Sequence, residues 1–305
     1  MAIEMNTGCL QCHMNRCLET ARSLGDEKTA MAFARELMKI YMEAPEGISS
    51  PYLGPASNAL LKKYYPLPDD RYVQEKIDSN AFVLERMDSI REMVEKAEDP
   101  LYAALQFAVL GNYLDFAALQ GQVSFAQLEQ MLREAITMEL DRDCFAKFRK
   151  DLAKGGKLLY ITDNAGEIVM DRIFAEKIAE LYPQVQITFC VRGGPAHNDA
   201  TREDARVAGI SFPVVDNGNT VGGTELSMLS EEAKKAMDEA DIILAKGMGN
   251  TETLYGSGYQ VYFAFLAHRS YLCGRCRRPD GRSTRSSSAR AAAPCRSRPE
   301  CARSR

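Results

Sequence analysis

The residues best suited to chemistry lie in segment 161–167, which reads Ile-Thr-Asp-Asn-Ala-Gly-Glu. An apolar run ends there and a helical pattern begins. Asp163 and Asn164 offer the hard oxygen ligands that Mg²⁺ or Mn²⁺ prefers. Gly166 would let the backbone approach a ligand, and the start of a helix favours a phosphate group. A structural alternative makes Asn164 the N-cap, with Glu167 completing a capping box.

A second segment, 195–201, reads Pro-Ala-His-Asn-Asp-Ala-Thr and follows the next apolar run. Asp199 is a candidate for a third oxygen ligand from a neighbouring loop. Asp204, one helical turn further along, is the substitute ligand. The alternative role for Asp199 is the N-cap of the helix that follows. His197, a single loop histidine, is expected to be merely solvated.

A third segment, 246–250, reads Lys-Gly-Met-Gly-Asn and closes another apolar run. A lysine followed by Gly-x-Gly can neutralise a phosphate while backbone N–H groups surround it. The pattern matches neither a Walker A loop nor a G-x-G-x-x-G turn, so nucleotide binding does not follow. The alternative is a tight turn after an edge strand.

The four apolar runs predict a parallel sheet. They span 157–162, 186–191, 211–215 and 241–246, and helical patterns separate them, whereas residues 1–150 show helical spacing alone. Strands that alternate with helices form parallel pairs through right-handed crossovers, giving a doubly wound α/β sheet. Ligands of such sheets bind beyond the carboxyl ends of the strands. We therefore expect the three segments to converge at one edge.

Residues 1–267 resemble the metal-dependent damage-control phosphatase family, formerly a domain of unknown function. Four signatures carry the resemblance in order and spacing: GNYLD at 111–115, TDNAGE at 162–167, NDAT at 198–201 and KGMGNTE at 246–252. The eukaryotic branch of this family was also proposed to methylate carboxylates. An N-terminal cysteine cluster is similar to that of the prokaryotic branch.

The resemblance implies a helical N-terminal portion packed on a three-layer α/β/α sandwich with a mostly parallel sheet. It also implies a divalent cation (Mn, Mg, Co or Ni) held by Asp163, Asn164 and Asp199. Asp163 and Lys246 would be the catalytic residues, with Lys246 on the substrate phosphate. The residues expected to contact the substrate are Asn112, Asp115, Gly166, Glu167, Lys246, Gly247 and Asn250.

The expected activity is metal-dependent hydrolysis of phosphomonoesters of small metabolites, either sugar phosphates or damaged phosphorylated cofactors. Two nucleophiles stay open: a water held at the cation, or Asp163 forming an aspartyl-phosphate. Water is preferred, because a ligand carboxylate is less free to attack. A competing function is that of an S-adenosylmethionine-dependent carboxyl methyltransferase, although the loop after the first strand lacks a Gly-rich turn. A third function is that of a non-catalytic metal-binding regulator.

Cys9, Cys12 and Cys17 cluster at the start of the chain, with His13 adjacent to Cys12. The C-x-x-C-H spacing is that of c-type haem attachment, but no export signal or second axial ligand accompanies it. Zn²⁺ or Fe–S ligation and redox sensitivity are further candidate roles, which would make the cluster a second site. The structural alternative is a set of partly buried thiols near a helix start.

Composition suggests a cytoplasmic protein with no membrane segment. The chain has 305 residues, 46% of them hydrophobic, and no run of the roughly 18–20 apolar residues that a membrane span requires. The N-terminus lacks the basic and apolar regions of a secretory signal. The expected partner is a small phosphorylated metabolite, and the oligomeric state stays open.

The C-terminal segment 268–305 differs from the rest of the chain. It carries 11 arginines and only Asp280 and Glu300 as acids, a net charge of +9, which leaves −13 for residues 1–267 out of −4 overall. Such an acidic body is unlike a nucleic-acid-binding surface. The tail is either a disordered basic arm or the product of a frameshift. We expect three regions: helical 1–150, α/β 151–267 and the aberrant tail.

Overall fold

The computed structural model describes residues 3–119, 125–266 and 291–292, with side chains described except at 112–119, 125–129, 266 and 291–292. Its helices are α1 (Thr7–Leu24), α2 (Glu27–Glu43), α3 (Gly54–Tyr64), α4 (Val73–Leu84), α5 (Met87–Lys96), α6 (Pro100–Leu119), α7 (Phe125–Glu134), α8 (Arg142–Lys154), α9 (Glu167–Leu181), α10 (Arg202–Val207), α11 (Glu231–Glu239) and α12 (Gly247–Leu254). Short 3₁₀ turns occupy Ser50–Leu53, Ala135–Thr137 and Leu226–Met228. Within the described residues, none of the helices combines the length and apolarity needed to cross a membrane.

The strands are β1 (Gly156–Ile161), β2 (Val185–Val191), β3 (Val214–Asp216), β4 (Ile242–Lys246), β5 (Val261–Leu266) and β6 (Ala291–Ala292). Five of them form a parallel sheet in the order β3-β2-β1-β4-β5. The two residues of β6 pair antiparallel with β5. The predicted α/β class and its doubly wound sheet are therefore confirmed.

The chain changes winding direction between β1 and β4, which are neighbours in the sheet but lie far apart in the sequence. Such a switch point leaves a crevice at the carboxyl ends of the two strands, where ligands of doubly wound sheets bind. Segment 162–167 begins at the end of β1, and Lys246 is the last residue of β4. The fold thus places two of the three predicted segments at the switch point.

Both faces of the sheet are covered, as the continuous apolar strands require. Side chains alternate along β1, so that Leu158 and Tyr160 join the core that α6 and α9 form on one face. Leu159 and Ile161 join the smaller core under α11 and α12 on the opposite face. Helices α1–α3 enclose a third cluster of apolar side chains around Phe33.

Helix α6 is the central element of the helical layer. Every residue from Leu101 to Leu110 is buried, and the helix lies along α9. Gly111 allows the close approach, because a Cβ there would lie 2.9 Å from Cγ and 3.0 Å from Cα of Glu167. The glycine of the GNYLD signature therefore brings α6 against the first residue of α9.

Two sequence-based details differ from the structure. The third strand, predicted over 211–215, is confined to Val214–Asp216, although the Pro213 carbonyl still accepts a 2.8 Å bond from Phe189 N–H. The tight turn after an edge strand, considered for segment 246–250, is wrong. Strand β4 pairs with strands on both sides, and α12 begins at once.

The predicted division at residues 150 and 267 stays a prediction. Helix α8 runs across the first boundary, and the core on one face of the sheet includes side chains from both sides of it. The tail, apart from the backbone of Ala291–Ala292, lies outside the described residues, as does the proposed frameshift.

Candidate metal and phosphate site

The loops that follow β1 and β2 are joined at the carboxyl edge of the sheet. Asn164 and Asp199 form an isolated antiparallel bridge. The Ala200 N–H donates to the Asp163 carbonyl over 2.7 Å. Backbone pairing therefore brings together the three residues predicted as cation ligands, and it fixes them independently of any side chain.

Asp163 and Asp199 are both buried, at 9% and 6% exposure. Burial raises the pKa of Asp163 well above its usual value, and the Asp199 and Glu167 carboxylates raise it further. Burial also raises the pKa of Asp199, against the opposing effect of Arg192. Two neighbouring buried carboxylates with raised pKa values indicate a site short of positive charge.

Arg192 supplies part of the missing charge. Its Nε lies 2.5 Å from Asp199 Oδ2, and its Nη2 lies 3.6 Å from Asp163 Oδ1. The side chain is 1% exposed, and its Nη1 finds no hydrogen-bond acceptor within the part of the chain that the structure describes. One guanidinium thus bridges the two carboxylates, and its buried Nη1 remains able to donate to a ligand.

The Asn164 amide is oriented by its neighbours. Its Nδ2 donates to Asp163 Oδ2 over 3.0 Å and to Glu167 Oε2 over 3.1 Å. Both amide hydrogens are thereby used, which leaves Oδ1 as the ligand atom. Two carboxylates and an amide oxygen are the hard donor set that Mg²⁺ or Mn²⁺ takes. The residues therefore fit a divalent cation, although no cluster of three His, Cys, Asp or Glu side chains suited to a metal occurs among the described residues.

Gly247 is required by the position of Asp163. The glycine has φ +77°, and a Cβ there would lie 1.9 Å from Asp163 Oδ2 and 2.2 Å from Cγ. The backbone at the start of α12 therefore lies directly against the carboxylate. Contact with the substrate, predicted for Gly247, stays a prediction.

Lys246 is fully buried and surrounded by acceptors. Its Nζ donates to the Asp171 carboxylate over 2.7 Å, to the Ala108 carbonyl over 2.7 Å, and to Glu167 Oε1. Although burial lowers the pKa of Lys246, Asp171 and Glu167 outweigh it and raise that pKa. Burial raises the pKa of Asp171 to about 7 despite the nearby ammonium. The Tyr160 hydroxyl donates to the same Asp171 oxygen over 2.8 Å.

These contacts bear on the predicted roles of Lys246 and Glu167. An ammonium has three donors, and in this structure all three have protein acceptors. Glu167 uses one oxygen for Lys246 and the second for Asn164. Glu167 therefore orients the Asn164 amide, and Lys246 in turn holds Glu167. Their contact with a substrate phosphate is untested.

Gly166 and the start of α9 show why capping by Asn164 is wrong. The N-cap of α9 is Gly166, at φ +75°, with no side-chain cap. Its N–H donates to Asn80 Oδ1 over 2.7 Å, and a Cβ would lie 2.9 Å from that of Ser79. The glycine thus allows the close approach of helix α4. The contact with a substrate predicted for Gly166 is untested.

Asn250 lies in the first turns of α12 and is completely buried. Its Nδ2 donates to the Thr162 and Lys246 carbonyls over 3.0 and 2.7 Å. Its Oδ1 accepts from Arg192 Nη2 over 3.2 Å and from Thr224 Oγ1 over 2.8 Å. All its hydrogen-bonding capacity is used to join β1, β4 and Arg192. The substrate contact predicted for Asn250 is untested.

Asn112 and Asp115 of the GNYLD signature lie on α6, directly after the glycine that meets α9. Their side chains are outside the described part of the chain. Their lining of the pocket therefore stays a prediction.

Two acids of the second loop have distinct positions. Thr201 is the N-cap of α10 and forms a capping box with Asp204, so the N-cap role considered for Asp199 is wrong. Asp204 also lies 3.2 Å from the Lys76 ammonium, and the ligand role considered for Asp204 is untested. His197, expected to be solvated, is instead partly buried, and burial lowers its pKa to about 3.

Cys9, Cys12 and Cys17 lie on α1, and none of them forms a disulfide with a described cysteine. Cys17 Sγ is 3.8 Å from Nδ1 of His13, which is itself buried. Burial raises the pKa of the Cys17 thiol, which disfavours the reactive thiolate. Half-buried Cys9 and Cys17 agree with the structural alternative, while metal or redox roles are untested.

Sequence reasoning missed Arg192 and Asp171. Arg192 directly follows β2, and a charged residue at the carboxyl end of a buried strand was an available signal for this edge. Asp171 lies four residues after Glu167, on the same face of α9. That spacing was visible, but no sequence feature indicated that both carboxylates share one lysine.

Comparisons with known proteins show what this chain is similar to. The model of the damage-control phosphatase ARMT1-like domain matches residues 5–281. A protein of Archaeoglobus fulgidus named damage-control phosphatase is 29% identical over 264 residues, 85% of this chain and 89% of its own. Damage-control phosphatase PH1575 of Pyrococcus horikoshii is 29% identical over 255 residues, 81% and 84% of the two chains. The uncharacterized protein MJ0202 of Methanocaldococcus jannaschii is 30% identical over 261 residues, 83% and 84%.

A solved structure shows the same fold. The crystal structure of a DUF89 family protein, PH1575 from Pyrococcus horikoshii, superposes with a TM-score of 0.80 at 24% identity and covers 97% of this chain and 99% of its own. The names of the relatives support a phosphatase activity. With a family model that matches nearly the whole sequence, the chain belongs to the damage-control phosphatase ARMT1-like domain family.

Proposed function

We propose that the chain is a metal-dependent phosphatase that hydrolyses phosphomonoesters of small metabolites, sugar phosphates or damaged phosphorylated cofactors. The observation that carries the proposal is the pairing of the loops after β1 and β2, which places Asp163, Asn164 and Asp199 together at the switch point. The cation would act as a Lewis acid that polarises a phosphoryl oxygen, and it would be Mn²⁺, Mg²⁺, Co²⁺ or Ni²⁺.

The residues of the chain hold and orient the reactants. Asp163, Asn164 and Asp199 would hold the cation, while Glu167 fixes the Asn164 amide through its 3.1 Å bond. Arg192 offers its buried Nη1 donor to a phosphate oxygen as negative charge spreads over the transferring group. Water attacks phosphorus, the ester oxygen leaves as the alcohol, and inorganic phosphate is released. Because Asp163 is a ligand in this scheme, we favour water over the carboxylate as the nucleophile.

The proposal is tested by phosphate release from a panel of sugar phosphates and a chromogenic phosphomonoester, with and without Mn²⁺ or Co²⁺. Asp163→Asn keeps the shape of the side chain and removes its charge, so we expect metal-dependent release to disappear. Asp69→Asn is the matched control, because Asp69 is exposed and pairs with Lys62 at the surface. That variant should keep full activity.

Metal binding is measured separately, by the increase in melting temperature on adding Mn²⁺. Asp163→Asn should lose this increase and Asp69→Asn should keep it. A folded wild-type protein that binds Mn²⁺ through Asp163 yet releases no phosphate from any substrate would contradict the phosphatase. The methyltransferase function would then be tested by dependence on S-adenosylmethionine, and absence of turnover there too would leave the regulator function.

A further inference from the structure

A small cavity lies where α1 and α3 meet the loops 69–72 and 195–198. Its volume is about 50 Å³, which is room for several waters, since one needs roughly 10–15 Å³ by this measure. Among the polar and charged side chains that line it are His13, Arg16, Ser57, Arg71, Tyr72 and His197. A cavity of this size with polar walls can hold a small oxyanion.

The charge of the cavity is positive within an acidic body. Arg16 and Arg71 both line the cavity, beside His13 and His197. Neither guanidinium forms an ion pair with a carboxylate among the described residues. The acids that precede Arg71 in the sequence form ion pairs with lysines instead. Asp69 lies 3.0 Å from Lys62 Nζ, and Asp70 lies 3.0 Å from Lys76 Nζ.

Hydrogen-bonding groups surround the two arginines. His13 is 3% exposed, with Nδ1 2.7 Å from the Tyr41 hydroxyl and Nε2 3.5 Å from Ser57 Oγ. Arg71 Nη2 donates to the Tyr72 hydroxyl over 2.8 Å. Glu252 is close enough for Arg16 to lower its pKa against burial, yet these two described side chains form no ion pair.

The cavity is linked to the cation ligands through one short loop. His197 lies two residues before Asp199 and packs edge-on against Tyr72, with ring centroids 5.8 Å apart. It has φ +51°, in the left-handed region that non-glycine residues seldom adopt. Such a conformation persists only where surrounding contacts impose it, so the cavity wall and the Asp199 loop are mechanically connected.

We propose that this cavity is a binding site for a phosphate-sized oxyanion, held by the Arg16 and Arg71 guanidiniums with His13 and Ser57 as neutral partners. Charge-assisted bonds from guanidinium to phosphate or carboxylate are the strong hydrogen bonds of proteins. The oxyanion is either a second anionic group of the substrate, away from the ester that is cleaved, or a free anion that acts on the site through His197.

Binding is tested by NMR of the histidine side chains, because the full chain has only three histidines and two of them line the cavity. Inorganic phosphate is titrated at fixed pH without added metal. We expect a saturable shift of the His13 signals. Arg71→Gln and Arg16→Gln should each weaken the apparent affinity by about tenfold or more, since a charged hydrogen bond contributes roughly that much.

Arg22→Gln is the matched control, because Arg22 lies on α1 outside the cavity and is 60% exposed. It removes the same charge and should bind phosphate like the wild type. Unmoved His13 signals in a folded wild-type protein would overturn the proposal, as would equal shifts in all three variants. Because no turnover is measured, this result is independent of the proposed phosphatase activity.

Turnover then distinguishes the two sources, and only this comparison rests on the proposed function. For a substrate subsite, Arg71→Gln raises KM about tenfold for phosphomonoesters that carry a second phosphate or a carboxylate, and leaves KM unchanged for those that do not. If the oxyanion is a free anion, added sulfate changes the rate of the wild type with substrates that lack a second anionic group. The rate of Arg71→Gln with the same substrates does not change.

Discussion

Replacing Gly247 by alanine is the sharpest test of the position of Asp163. The added Cβ would lie 1.9 Å from Asp163 Oδ2, whereas real Cβ contacts essentially never fall below 3.0 Å. The neighbouring atoms are those of the carboxylate that we propose as a cation ligand, so the carboxylate must withdraw by about 1 Å. A misplacement of about 1 Å can cost roughly 10²-fold in rate.

The substitution also strains the backbone. Gly247 has φ +77°, where an L side chain costs about 1–2 kcal/mol. We therefore expect Gly247→Ala to lower the free energy of unfolding by at least this amount and kcat/KM by about 100-fold, and to weaken Mn²⁺ binding. The measurements are urea unfolding, phosphate release and the Mn²⁺-dependent increase in melting temperature.

Gly258→Ala is the matched control. Gly258 has φ +98°, but nothing lies within 4 Å of a Cβ added there. This variant should show similar backbone strain with unchanged activity and Mn²⁺ binding. Full activity in Gly247→Ala would refute the role of Asp163 at its present position. An equal loss of activity in both variants would mean that general destabilisation, and no displaced ligand, is responsible.

The buried charges give two further predictions. Lys246→Met leaves Glu167 and Asp171 without their cation and should lower the free energy of unfolding in urea by about 3–5 kcal/mol. The control Lys157→Met, at a half-exposed ion pair, should change it little. Equal effects of the two substitutions would contradict the ion-pair network. His13, whose pKa burial lowers to about 4, takes up a proton in the unfolded chain near pH 6.5 but not in the folded one. Unfolding free energy should therefore fall between pH 6.5 and 4, by up to about 3 kcal/mol, and His13→Gln should flatten that fall; parallel pH profiles in both proteins would show that His13 is not responsible.

The strand pattern and the meeting of the loops could be predicted from the sequence because they depend on local chemistry. Apolar runs such as 186–191, separated by helical patterns, are typical of the strands of a parallel sheet covered on both faces. The carboxyl ends of its strands then lie at one edge, which is enough to bring Asp163 towards Asp199. Strand β5, which pairs with β4, was not among the four predicted strands.

The support of the site could not be predicted because it depends on contacts between distant segments. The Lys246 ammonium, for example, donates to the Ala108 carbonyl of a helix 138 positions away in the sequence. The positive φ of Gly166 is typical of glycine and could be foreseen, but its close contact with Ser79 of a distant helix could not. Spacing indicates which residues are special without indicating what they touch.

Lys246, at the end of β4, also affects how the protein unfolds. Its ammonium joins a strand, the carbonyl of Ala108 on α6 and two carboxylates on α9, so separation of any one element leaves buried charge without a partner. Such a shared atom couples the helical layer to the sheet in one cooperative unit. We therefore expect α6 to unfold together with the sheet, and the candidate site to be lost in the same transition.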